Sequence, residues 1–119
     1  MGRFDFFRRW NDKLSQRPVQ RSNMSRIEYL LHIIHDQLEA PKEAFGGKNL
    51  VQLIEDQLEE GNVDLAIWNI SSQVKNCFEL ANLYWGQGDL VRAEAYMQQT
   101  LERHNRLSDA YAQHDMLMQ

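Results

Sequence analysis

The chain has 119 residues, 43% of them hydrophobic and 25% charged, which is enough for one domain and the balance of a folded chain rather than a disordered one. Its single cysteine, Cys77, excludes an internal disulfide framework and a thiolate zinc cage, and no apolar run approaches the roughly 20 residues of a membrane span. The net charge of −4 averages two unlike parts: residues 1–26 carry seven basic and two acidic side chains, a net of +5, and the remainder carries six and fifteen, a net of −9.

In chain order, Phe4, Phe7, Trp10 and Leu14 recur every three to four residues, with Arg8, Arg9 and Lys13 between them. That spacing predicts a short amphipathic helix with an aromatic face. Pro18 stops simple continuation, so residues 1–24 are expected to form a basic arm and linker, and residues 25–119 an acidic all-helical domain. Ser25-Arg26-Ile27-Glu28 has the form of a capping box opening a helix with Ile27, Leu30, Leu31, Ile34 and Leu38 on one face. Pro41, Gly46 and Gly47 predict a flexible connection from Ala40 to Lys48.

Asn49, with Gln52 three residues on, caps the next predicted helix, whose inward face is Leu50, Leu53, Ile54 and Leu58. After Gly61-Asn62, Val63 to Trp85 runs without proline or glycine. Its stripe of Val63, Ile67, Ile70, Val74, Cys77, Phe78, Ala81, Tyr84 and Trp85, widened by Leu65, Trp68, Leu80 and Leu83, predicts a central helix with neighbours on several sides. Past Gly86-Gln87-Gly88, Asp89 caps a further helix with Leu90, Ala93, Met97, Thr100, Leu101, His104, Leu107, Tyr111, His114 and Met118 on its stripe; Ser108-Asp109 offers a restart as a separate helix, but the stripe runs through, which favours one long helix to residue 118 with room for a bend near Ser108. The expected fold is all-α, a small bundle of five or six helices.

Leu80-Ala81, Tyr84, Gly88, Ala93, Met97 and Leu101 stand at a spacing that resembles the tetratricopeptide repeat over about one unit. The resemblance implies a closely packed helix–turn–helix and a role in binding other proteins.

Little in the chain points to chemistry. His32, His35 and Asp36 share a helix flank and would be the ligands if a metal were held, but no further ligand is marked, and neither metal nor cofactor is expected. Cys77 lies among Val74, Phe78 and Ala81, the setting of an inert core thiol. Gly46-Gly47-Lys48 lacks the spacing and the preceding strand of a phosphate loop. The chain is therefore expected not to be an enzyme.

The charges point to partners. From Asp36 to Asp64, eight acidic side chains stand against two basic ones. Asp36, Glu39, Glu55, Asp56, Glu59, Glu60 and Asp64 are the expected contact face for a protein with a basic surface, as in an acidic inhibitor or immunity-type protein. The anchor residues Phe4, Phe7, Arg8, Arg9, Trp10, Lys13 and Leu14 suit docking on the chain's own core or a partner, an anionic membrane surface, or nucleic acid. The alternative is a structural component of a membrane-associated or virion assembly, held by that arm, with the 90–118 helix self-associating. The expected compartment is cytoplasmic, with no signal peptide expected at the start of this sequence.

Overall fold

A computed structural model describes the backbone of residues 20–119 and the side chains of residues 25–119. Among these residues the chain is all-α: α1 (Gln20–Leu38), a 3₁₀ turn (Glu43–Phe45), α2 (Leu50–Glu59), α3 (Val63–Gly86) and α4 (Leu90–Leu117). The predicted N-terminal helix lies outside the described residues.

α3 and α4 form the frame, a long antiparallel hairpin turned at Gly88, whose φ of +78° is a left-handed conformation that glycine adopts without steric cost. Asp89 starts α4 by accepting a hydrogen bond from the Arg92 backbone N–H. Small residues at the contact (Ala66, Cys77 and Ala81 on α3, Ala93 and Ala110 on α4) are all buried and let the two helices lie close. Near the turn, the Tyr84 and Tyr96 rings stack 5.7 Å apart, with the Arg92 guanidinium 5.8 Å from the Tyr84 ring centre.

The two shorter helices lie in tandem over one side of this hairpin. α1 packs on its turn end, joining Ile27, Leu30 and Ile34 to Cys77, Leu80, Leu83, Tyr84 and Ala93. α2 packs on its open end, joining Ile54 and Leu58 to Val63, Ala66, Ile70 and Ala110. Asn49 caps α2 as expected and does so in a capping box with Gln52, each side chain taking the other's backbone N–H at 2.9 Å.

A polar belt separates the two apolar clusters. Gln73, fully buried on α3 between Ile70 and Cys77, donates to the Gln37 carbonyl at 2.9 Å and accepts from Arg103 Nε at 2.8 Å. The Gln37 side chain in turn donates to Ser72 Oγ and accepts from Asn76, each at 3.0 Å. The belt fixes where the end of α1 sits against the hairpin, because each buried polar atom requires its partner.

Several expectations are corrected. α1 starts at Gln20, so Ser25 and Glu28 lie inside it and form no capping box. No proline or glycine interrupts residues 19–40, and the helix continues through the apparent cap. The Ala40–Lys48 connection is built on backbone hydrogen bonds: Lys42 N–H donates to the Lys48 carbonyl, and Phe45 and Gly47 N–H groups to the Lys42 carbonyl. On α3, Leu65 and Trp68 do not widen the buried stripe: they are 47% and 66% exposed. On α4, Leu90, Leu101, His104, Tyr111 and Met118 face outward, while Ala110, off the expected stripe, is fully buried.

Candidate functional site

The acidic residues singled out in the sequence do not form one uniform face. Glu55 is half-exposed but paired, accepting from Arg106 Nε at 2.7 Å and again from its second nitrogen. That hydrogen-bonded pairing holds the Glu55 carboxyl below the usual carboxylate range, partly offset by desolvation. Asp36 is bonded by Lys42 at 2.6 Å, which likewise lowers its pKa, and Asp56 is bonded by Lys48. Glu39, just past the end of α1, lies 3.0 Å from His35 in its last turn, both well exposed.

What remains outward and closely grouped is the α2–α3 corner. Glu59 and Glu60 end α2, exposed and without an ion pair among the described residues. The chain turns at Gly61, and Asp64 opens α3, its carboxylate 3.1 Å from His114 Nε2 yet 90% exposed. One turn on, at the i+4 position that shares a helix face, stands the exposed indole of Trp68, with Leu65 beside it. Helix geometry creates the patch: α3's inward arc is occupied by Val63, Ala66 and Ile70, which leaves Asp64, Leu65 and Trp68 on the outside. An indole among carboxylates offers a large apolar area with a cation-attracting ring face and a negative surround.

The spacing of Trp68 fits a wide apolar stripe and predicts a buried side chain; the structure leaves it 66% exposed. The signal that would have reversed this is the lack of any sequence neighbour able to cover that arc, which only the tandem arrangement of α1 and α2 reveals.

The other candidates are placed as follows. Phe4, Phe7, Arg8, Arg9, Trp10, Lys13 and Leu14 lie outside the described residues. His32 and His35 are exposed on α1, and no group of three or more histidine, cysteine, aspartate or glutamate side chains is placed to hold a metal ion among the described residues. Cys77 is fully buried, and burial pushes its thiol up to about 11. No helix among the described residues is long and apolar enough to cross a membrane.

A shallow cavity of about 240 Å³ lies where the end of α1 and the start of α2 meet α4, lined by Leu38, Glu39, Val51, Gln99, Glu102 and Arg103. Gln99 Oε1 and Arg103 Nη2 are buried there without hydrogen-bond partners among the described residues. Desolvation lowers the Arg103 pKa. The Leu80–Leu101 segment that resembles a tetratricopeptide unit forms the hairpin turn, with Leu80, Ala81, Tyr84 and Ala93 buried, Met97 half-buried and Leu101 partly exposed.

Compared with protein-family models, with curated proteins and with solved structures, the chain matches none of them.

Proposed function

We propose that this protein is a non-enzymatic binding module whose α2–α3 corner docks a partner protein through a basic and apolar surface. The observation that carries the reading is the grouping of Trp68, 66% exposed, with Asp64, Glu59 and Glu60. Tryptophan is among the residues that most often dominate binding energy at protein interfaces, and a ring of like charges around it steers and orients an oppositely charged partner. Glu55, Asp56 and Asp36 lie outside the docking surface in this reading, because each is bonded to an arginine or lysine and only partly exposed, whereas Asp64, beside His114, stays 90% exposed. The broader acidic face narrows to this corner, and the inhibitor or immunity-type role toward a partner with a basic surface narrows with it.

The test is capture by the immobilised full chain at low and at high salt, with three forms compared: the native chain, Glu59→Lys/Glu60→Lys/Asp64→Lys, and Trp68→Ala. The expected result is a basic protein retained by the native chain at low salt, weakened by high salt, and lost in both variants. Equal retention by all three forms excludes the corner as the docking site.

A further inference from the structure

α1 ends and α2 begins over the middle of α4, and the cavity of about 240 Å³ lies where these three meet. α4 contributes Gln99, Glu102 and Arg103, which share one helix face at spacings of three and four residues. Leu38 and Val51, both half-buried, supply the apolar lining, and Glu39 and Glu102 are exposed at the mouth. Arg103 decides the chemistry. Its Nε is bonded to the uncharged amide of Gln73, and its Nη2 is buried without a hydrogen-bond partner among the described residues. No carboxylate among them forms an ion pair with it; Glu55, whose field reaches it, is bonded to Arg106. One turn earlier, Gln99 Oε1 is buried and equally unpartnered. A buried donor and a buried acceptor, both unmet at one cavity, mark a place where a ligand supplies what the chain does not.

We infer that the cavity binds a free α-amino acid with an aliphatic side chain, its carboxylate on Arg103 and its ammonium at Gln99. The arrangement of charge selects this class. A plain carboxylate suits Arg103, whose planar fork matches it, but meets the carboxylates of Glu39 and Glu102 at the mouth. A plain amine suits Gln99 Oε1 and the two glutamates, but is repelled by the buried guanidinium. A zwitterion satisfies both ends. Its acceptor goes inward to Arg103 Nη2, and its N–H donors face Gln99 Oε1 and the acidic mouth. A short branched side chain then lies against Leu38 and Val51. The volume agrees, falling just under the roughly 300–1,000 Å³ of pockets that hold drug-sized ligands. The site is separate from the docking corner at Trp68, and neither reading depends on the other.

The test titrates L-leucine into the isotope-labelled full chain and follows its amide NMR signals. Saturable shifts are expected at Val51, Gln99 and Arg103. Isocaproate, which lacks the ammonium, and isoamylamine, which lacks the carboxylate, are each expected to bind about ten-fold more weakly. Gln99→Leu is expected to weaken L-leucine binding by about ten-fold and to leave isocaproate unchanged. This variant removes no side-chain hydrogen bond among the described residues, whereas Arg103→Met also takes the donor from the buried Gln73 amide. Absence of a saturable shift at the three signals overturns the inference. So does isocaproate binding as tightly as L-leucine, which makes the cavity a carboxylate site alone. L-leucine binding that Gln99→Leu leaves unchanged overturns it as well.

Discussion

Gln73 and Arg103 meet at the midpoint of the α3/α4 hairpin, the guanidinium Nε donating to the amide oxygen at 2.8 Å with Gln73 fully buried. The pair stands where the apolar cluster under α1 ends and the one under α2 begins. A buried donor deprived of its acceptor costs far more than a matched pair contributes, so the two residues are strongly coupled. Gln73→Leu alone is expected to destabilise the fold by about 2–4 kcal/mol, since it also strips the Gln37 carbonyl of its partner. Gln73→Leu with Arg103→Met, apolar on both sides, is expected to cost about 1–3 kcal/mol less than the sum of the two single variants, with the remaining loss set by the Gln37 carbonyl that still lacks its donor. Urea unfolding of the native chain, the two single variants and the double variant measures this directly. Additive losses in the double variant exclude the coupling.

Cys77 presents the opposite case, a reactive group made inert by its surroundings. With its thiol pushed up to about 11, the thiolate population at pH 8 is about one in a thousand. A disulfide reagent such as dithionitrobenzoate is therefore expected to label the folded chain more than about a hundredfold slower than the chain in denaturant. Labelling at a similar rate in both states places the thiol at the surface.

What was legible in the sequence was mostly local. The Asn49–Gln52 capping box, the Asp89 cap and the turns at Gly61 and Gly88 all depend on residues within a few positions of each other, and the structure contains all of them. The long α4 without interruption followed from the absence of a breaker. What failed required knowledge of neighbours. Trp68 and Leu65 match the period of an apolar stripe, yet α1 and α2 together cover only one side of the hairpin, and those two side chains lie past the covered arc. Gln73 gives no sign that it belongs to the core, because its partners are 36 and 30 residues away. Ser25 failed for a different reason: a capping sequence acts only where the helix actually begins, and α1 had begun five residues earlier. At the docking corner, the acidic residues could be read from the sequence but not their pairing, which removes Glu55 and Asp56 from the available charge.

The Glu55–Arg106 pair sets an expectation for acid sensitivity. Because the folded carboxyl titrates below its ordinary value, the folded state binds fewer protons than the unfolded state in the acidic range. Its contribution is complete above the unfolded carboxylate pKa of about 4.3 and is lost as pH falls through the lower folded value. The carboxylate is 44% exposed, so solvent screening limits the contribution to less than about 1 kcal/mol. Glu55→Gln is expected to lower stability by that amount at pH 7, with the difference from the native chain shrinking below pH 4. Thermal unfolding at pH 7, 5, 4 and 3 follows it, and a difference that widens toward acid contradicts the assignment.

Trp68 and Leu80 lie on the same helix twelve residues apart, the first 66% exposed and the second fully buried in the cluster under α1. Their truncations should separate cleanly. Leu80→Ala removes buried methyl groups and leaves a cavity, at an expected cost of about 2–5 kcal/mol. Trp68→Ala removes a side chain that is mostly in water, and its unfolding free energy is expected to stay within about 0.5 kcal/mol of the native chain. Urea unfolding of both variants makes the comparison, and acrylamide quenching of the indole fluorescence lost in Trp68→Ala checks that Trp68 is open to solvent. A loss above about 2 kcal/mol on Trp68→Ala returns the residue to the core, as the apolar stripe alone had suggested, and removes it from the docking corner. A small loss means that any weakening of partner capture by this variant reports on the surface itself, since the fold that carries the surface is intact.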